Sequence, residues 1–440
     1  MKPKLAAAVL ATTFAASPAW AAGEDGRDPL LAQLVARLEA QEARILELER
    51  QLQAAELPAE APGTVQAAPP AAARTASEDA RAGDAGNRDT ALAQADGADA
   101  PPTRVNLSGD LRLRYEHNGS DNDAPNDGRA VLRARLRAAY EVNEWLALGG
   151  QVVTGSQDDP NTADVTLGNF NDDLEISLDQ AFLHLSRGGL ELWGGKFPQV
   201  FRRTDLVWDG DVSPQGVAVR YRAPLAEGLS LGATGMYFPI ERSVAGPDST
   251  MTGAQVELAA TASGWSAALA AAYYDYSLGS VASADAGDFR GNLRDLSGAY
   301  LSDFGLVDVI ARLDAQPWDE RWPVTVTADY VRNLGAATAD DSGYSVAVAL
   351  GRSQDAGDWR FGYAYTRAEA DAVFAAFSHD NINLSTNYRM HAATADYVYR
   401  EGIVLNATLY LYRPDSPLHA GAADPEDLLS RLRLNALFRF

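Results

Sequence analysis

The chain closes on Arg431-Leu432-Arg433-Leu434-Asn435-Ala436-Leu437-Phe438-Arg439-Phe440, an alternation of polar and apolar residues running into an aromatic end. In a strand, Leu432, Leu434, Ala436, Phe438 and Phe440 project to one face, and Arg431, Arg433, Asn435 and Arg439 to the other. Chain termini fray unless something holds them. A closing strand of a membrane barrel satisfies this pattern, with its apolar face on lipid and its polar face on a wet lumen.

The N-terminal segment agrees with export. Lys2 and Lys4 precede an apolar stretch over 5–16, and Ala19-Trp20-Ala21 forms a small-x-small cleavage site. Residues 1–21 therefore read as a secretory signal peptide, with the mature chain starting at Ala22. The apolar stretch is too short for a spanning helix, and no later segment has eighteen uninterrupted apolar residues. There is no cysteine, which excludes thiol catalysis and cysteine-ligated metal. A net charge of -23 opposes nucleic-acid binding, which needs a basic footprint. Lys2, Lys4 and Lys196 are the lysines, so arginine carries nearly all the positive charge.

Residues 22–57 carry a heptad pattern. Leu31, Leu38, Ile45 and Leu52 share one seam position, and Leu34, Gln41, Leu48 and Ala55 the other. Arg37 and Arg44 then oppose Glu42 and Glu49 in a parallel coiled coil, whose seam leaves dimer and trimer open. Residues 58–103 are rich in Ala, Pro, Gly, Asp and Ser and cannot bury a core, so they read as a disordered linker. Its mean span as a flexible chain is about 35–40 Å.

Residues 104–440 form the folded domain, an all-β transmembrane antiparallel barrel of sixteen strands. The alternation predicts strands at 105–117, 128–141, 145–154, 175–186, 190–197, 215–223, 229–239 and 250–262. The second half follows at 265–275, 304–314, 323–334, 342–352, 358–369, 391–400, 403–413 and 429–440. The connections alternate long and short, for example Val142-Asn143-Glu144 and Glu401-Gly402 on the short side. Outer-membrane barrels have this sidedness, with tight periplasmic turns and long outer loops. Trp145, Trp265, Trp318, Trp322 and Trp359 all sit beside short turns, as an aromatic girdle at headgroup level would.

The first two strands hold the candidate functional residues. Arg112 and Arg114 share a face with Asp110 and Glu116, and Arg133, Arg135 and Arg137 share a face of the next strand. Residues two apart on a strand lie about 6.5 Å apart, and a neighbouring strand about 4.8 Å away. Burying such a ladder dry costs several kcal/mol per unpaired ion, so the face is wet or matched by carboxylates. A partner is found in FPQVFRRTDLVWDGDVSPQ at 197–215, where Asp205, Asp209 and Asp211 flank Leu206, Val207 and Trp208. A water-exposed loop has little use for that apolar cluster. Folded inward, it would pack the cluster on the barrel wall and set its carboxylates across the lumen from the arginines. Such a constriction passes polar solutes and rejects large or apolar ones.

The runs GDLRLRYE at 109–116, RARLR at 133–137, TGSQDDPNTADVTLGNF at 154–170, LDQAF at 178–182 and GGKFPQVFRRTDLVWDGDVSPQGVA at 194–218 resemble the "putative porin" family of Gram-negative bacteria. The terminal Phe440 also resembles the signal that outer-membrane proteins show to their assembly machinery. The resemblance implies an outer-membrane barrel in contact with lipid, passive diffusion of small hydrophilic solutes and ions, and a homotrimer. It places Asp205, Asp209 and Asp211 at the constriction. On the sidedness of the barrel, the coiled coil is expected in the periplasm. One lysine in the barrel, Lys196, argues against the lysine-rich lumen of phosphate-selective porins.

No enzyme signature competes with this reading. His117, His184, His379, His391 and His419 lack the spacing of a helical metal pair, and no phosphate-cradling glycine loop exists. The acidic pairs Asp158-Asp159 and Asp172-Asp173 read as solvated loop charge. No cofactor, metal or catalytic residue is expected. An alternative use of the barrel is attachment, with the coiled coil tethering the membrane to the cell wall. A soluble secreted β protein with wet arginine faces is the third reading.

Overall fold

The computed structural model describes residues 104–440 apart from 122–126, 157–161, 169–172, 245, 282–288, 290, 297 and 420–426. The expected signal peptide, coiled-coil helix and linker lie outside the described residues.

The strands are β1 (Val105–Ser120), β2 (Asp127–Asn143), β3 (Leu146–Thr154), β4 (Val165–Thr166), β5 (Ile176–Arg187) and β6 (Leu190–Lys196). They continue as β7 (Gln215–Ala226), β8 (Leu229–Glu241), β9 (Ser249–Ala262), β10 (Trp265–Leu278), β11 (Phe304–Ala315) and β12 (Val324–Asn333). The last are β13 (Ser342–Gly351), β14 (Trp359–Ala368), β15 (Tyr388–Arg400), β16 (Ile403–Pro414) and β17 (Leu429–Arg439). Sequence neighbours pair antiparallel, and β17 returns to pair with β1, so the sheet closes without an edge. The two-residue β4 lies outside the ring: it pairs with β2, while β3 pairs directly with β5. Sixteen staves therefore close the barrel, at the positions the alternation predicts.

Closure is made by the chain end. Phe440 and Gly109 exchange backbone hydrogen bonds, Gly109 N to Phe440 O at 2.9 Å and Phe440 N to Gly109 O at 3.1 Å. A β-carbon on Gly109 would meet the Phe440 ring at 2.5 Å, so only glycine lets that ring lie across β1. At the neighbouring short turn, Gly402 takes φ 72°, a left-handed conformation that lets β15 reverse into β16 in two residues.

The period of two divides the wall into faces. Leu111, Leu113, Tyr115, Leu136, Tyr140 and Leu434 are exposed on the outside, while Asp110, Arg114, Glu116, Arg133, Arg431 and Arg433 are buried inside. Trp145, Trp265, Trp318, Trp322 and Trp359 are all exposed and cluster at the short-turn end. This is an inside-out protein with respect to its wall.

The interior is not uniformly polar. A cluster including Phe201, Leu206, Val207, Trp208, Tyr274, Phe304, Phe374 and Phe377 fills part of it. Two connections, residues 197–214 between β6 and β7 and residues 369–387 between β14 and β15, pack this cluster against wall residues such as Tyr274 of β10 and Phe304 of β11. The second segment contains a 3-10 turn, Ala375–Phe377, with all three residues buried.

Candidate functional site

Three adjacent staves build a charged wall. Arg112 lies opposite Arg133 across the β1–β2 pair, Asp110 opposite Arg135, and Glu116 opposite Arg433 across the β1–β17 pair. Like charges placed opposite each other in a sheet repel, so the arginines need interleaved carboxylates. Asp110 serves three of them: Arg135 Nε at 2.8 Å, Arg133 Nη2 at 3.1 Å and Arg137 Nη1 at 3.7 Å. Glu116, fully buried, takes Arg433 Nε at 2.7 Å and Arg129 Nη2 at 2.7 Å.

Two more carboxylates arrive from connections. Asp164, just before β4, binds Arg112 and Arg114, the latter at 2.6 Å. The pairing of β4 with β2, Val131 opposite Thr166, fixes this segment over the arginines. Asp211, in the inward segment 197–214, lies 3.1 Å from Arg135 Nη1 and 3.6 Å from Arg133 Nη1. Burial pushes the Asp211 carboxyl up, but the guanidinium groups of Arg133, Arg135, Arg112 and Arg203 outweigh it and hold the group at about 2. Asp164 is lowered in the same way: burial opposes ionisation, and Arg112 and Arg114 overcome it.

The inward course of 197–214 follows from its apolar residues. Trp208 is fully buried, stacked on Phe377 with centroids 5.5 Å apart and edge-on to Tyr274 at 5.6 Å. Phe201 packs edge-on to Tyr274 at 5.2 Å, over Gly253 of β9, where a β-carbon would meet its ring at 2.9 Å. Polar contacts then fasten the backbone. Gln255 accepts from Arg202 N at 2.7 Å and donates to Arg202 O at 2.8 Å. Arg202 Nε pairs with Glu257 at 2.6 Å, and the Thr204 hydroxyl donates to Asp329 of β12.

The second segment locks onto the first. Ser378 Oγ donates to Leu206 O at 3.2 Å, Asp209 N to Phe377 O at 2.7 Å, and Asn381 Nδ2 to Asp205 Oδ2 at 3.2 Å. Arg433 Nη1 donates to Asn381 Oδ1 at 2.8 Å, which ties the pair of segments back to β17. Asn292 holds the start of the 3-10 turn, donating to Val373 O at 2.9 Å and accepting from Ala375 N at 2.8 Å.

The eight residues singled out in the sequence are thus partly assembled. Arg112, Arg114, Arg133, Arg135 and Asp211 converge, and Arg137 reaches the group through Asp110. Asp211 does not face the ladder across open space; it pairs with it directly, because the segment crosses to the β2 wall. Asp205 and Asp209 do not reach the arginine ladder. Asp205 contacts Arg203 at 3.3 Å and Asn381, and its carboxyl is raised by burial. Asp209 is raised well above the usual range by burial and by the nearby Asp380, Asp205 and Asp211. It accepts a hydrogen bond from Asp211 N at 2.7 Å and so shapes the turn that presents Asp211.

Sequence reasoning missed Asp164 and the segment 369–387. The second was detectable, since Val373, Phe374 and Phe377 form the same out-of-place apolar cluster as Leu206, Val207 and Trp208. Asp164 carried no such local signal.

Comparison with known proteins places the fold. The high-pH structure of Pseudomonas putida OprB superposes with a TM-score of 0.50 at 12% identity, covering 76% of this chain and 94% of that one. Salmonella typhi OmpF in complex with daunomycin gives 0.48 at 13% identity, covering 76% and 97%. A loop-L8 deletion mutant of OmpT, an outer membrane protein of Vibrio cholerae, gives 0.46 at 14% identity, covering 77% and 100%. No curated protein sequence matches significantly. Residues 119–286, which include β2, the Asp164 segment and the whole inward segment 197–214, match the family model described as "Putative porin".

Proposed function

We propose that this protein is an outer-membrane porin, a water-filled channel for passive diffusion of small hydrophilic solutes and ions. The observation that carries the reading is the inward segment 197–214, anchored by Asp211 to Arg133 and Arg135 inside a closed sixteen-stave barrel. A polar wall narrowed by a fixed charged segment favours hydrated solutes and rejects bulky apolar ones. Toward the short turns the inner wall is also polar, with the ion pairs Arg312–Asp314 and Arg360–Asp396 and Asn406 bonded to Asp396. Arg112, Arg114, Arg133, Arg135, Arg137 and Asp211 line the narrowing, and Asp205 and Asp209 shape the segment that forms it.

The barrel sits in the outer membrane of a Gram-negative bacterium, delivered by the signal peptide, as a homotrimer with the coiled coil of 22–57 in the periplasm. The exposed apolar outer wall and its tryptophan rim support the membrane placement. The channel is not an enzyme; its charged groups are paired for structure and field. Reconstituted protein gives stepwise conductance in planar bilayers on this reading. Absence of any conductance from correctly folded protein would overturn it.

One observation favours a second use. The two interlocked inward segments place an apolar cluster inside the barrel, which suits a barrel whose main task is attachment through the coiled coil. Deletion of residues 22–103 separates the two. Conductance survives the deletion if transport is the task, and envelope attachment weakens if tethering is.

A further inference from the structure

A second arginine group lines the interior on β7, β8 and β9, away from the charged wall of β17, β1 and β2. Arg220 and Arg222 share the inner face of β7, because Val217, Val219 and Tyr221 are exposed on the outer one. Arg220 lies opposite Thr234 of β8, and Thr234 opposite Gln255 of β9. Nearer the short turn, Arg222 lies opposite Gly232, and Gly232 opposite Glu257. Arg202 of the inward segment 197–214 reaches these rows and pairs with Glu257 at 2.6 Å. Together they bound a recess of about 170 Å³.

The recess exists because Gly232 puts no side chain between Arg222 and Glu257, whose staves are two strand spacings, about 10 Å, apart. Nothing in the fold calls for glycine there. Gly232 is not among the glycines with a left-handed backbone. A β-carbon added to it would meet nothing nearer than Glu257 Cβ at 3.8 Å, an ordinary contact. Glycine inside a strand weakens it and often marks a place where another group approaches closely. At Gly232 the space so freed opens onto guanidinium groups.

Those groups are held in place without being used up. Arg220 lies over the Trp193 ring, 5.2 Å from its centroid, and its Nη1 is 3.4 Å from Glu191 Oε2. Its Nε donates to Thr234 Oγ1 at 3.4 Å and its Nη2 to Val200 O. Arg202 spends its Nε on Glu257. Arg222 is exposed, and its side chain makes no hydrogen bond or ion pair among the described residues. His184 shares Glu191, at 3.5 Å. Two carboxylates, Glu191 and Glu257, thus stand against three guanidinium groups, and the balance is positive by at least one. Guanidinium forks match the two oxygens of a carboxylate. One surplus charge suits a singly charged anion better than a doubly charged phosphate. The volume lies below the roughly 300 Å³ at which sites for drug-sized ligands begin, so the occupant is small.

We propose that Arg202, Arg220 and Arg222, grouped around Gly232, form a subsite for the carboxylate of a small, singly charged organic anion crossing the lumen. The inference rests on the channel reading and names its solute class.

The test measures uptake into liposomes that carry the full-length protein. The probes are radiolabelled gluconate, a carboxylate, and sorbitol, an uncharged solute of similar size, with inorganic phosphate as competitor. Wild type takes up gluconate saturably and, at low concentration, at least tenfold faster than sorbitol, whose uptake rises linearly. Phosphate competes at least tenfold more weakly than unlabelled gluconate. Arg222→Gln removes the open fork, and Gly232→Val fills the recess with every charge retained; each lowers the gluconate-to-sorbitol ratio at least fivefold. Linear gluconate uptake by wild type, or an undiminished ratio in either variant, overturns the subsite. Phosphate competing as well as gluconate overturns the carboxylate assignment. Heat-modifiable migration reports folding; if one variant fails to fold, the other carries the same outcomes. Sorbitol uptake without a gluconate preference removes the subsite alone, whereas no uptake of either solute removes the channel reading and the subsite with it.

Discussion

Asp211 Oδ1 lies 3.1 Å from Arg135 Nη1, an ion pair that joins the far end of an inward connection to β2, three staves from β6. Arg133 reaches the same carboxylate at 3.6 Å. Removing the carboxylate leaves two largely buried guanidinium groups with one partner fewer. Breaking one side of a buried ion pair costs about 3–5 kcal/mol. Asp211→Asn is therefore expected to lower the temperature of heat-modifiable migration and to raise open-channel current noise as the segment loosens. An unchanged transition and quiet current would show that the pair does not hold the segment.

The same pair predicts a pH dependence with a definite sign. The Asp211 carboxyl sits at about 2 in the fold, below an ordinary aspartate. A lowered carboxylate contributes anchorage that is complete above its ordinary titration range and is lost as pH falls through the folded value. Current noise should stay flat from pH 7 to about 4 and rise steeply toward about 2. Asp211→Asn should remove that dependence.

Asp209 behaves in the opposite sense. Its carboxyl is raised by burial and by neighbouring carboxylates. A raised carboxylate favours the fold while protonated and opposes it as pH climbs through the folded value. Asp209→Asn should stabilise the barrel at alkaline pH and have little effect at pH 4, as read by thermal unfolding at the two conditions. Equal effects at both would refute the assignment.

Trp208 and Phe377 join the two inward segments through a stacked contact at 5.5 Å. Removing a buried tryptophan costs about 3–5 kcal/mol. In Trp208→Ala the damage should fall on the segments and spare the wall, because neighbouring staves bond to each other through backbone groups. Protease should cut within 197–214 or 369–387 while the barrel remains resistant. Loss of the whole barrel would contradict this division.

The wall was legible because every stave carries a period of two, with apolar side chains on the outer face and polar ones on the inner. The alternation located all sixteen, from Leu111 and Leu113 against Arg112 and Arg114 to the closing Phe438 and Arg439. The inward course of 197–214 was legible because Leu206, Val207 and Trp208 had no reason to face water. The direct pairing of Asp211 was not, since the distance a connection crosses depends on packing against β9, β10 and 369–387. Asp164 was silent for the same reason: a single carboxylate in a polar connection gains its meaning only when β4 pins it beside Arg112. Asp205 and Asp209 shared the right sequence spacing with Asp211 but leave the turn in other directions.

The reversal potential of single channels under a salt gradient, for wild type and for Arg133→Glu/Arg135→Glu, tests most directly whether this charged wall governs a conducting lumen. Stepwise conductance in both, with the variant shifted toward cations, is the predicted result. A silent bilayer, or a reversal potential that does not move, would contradict it.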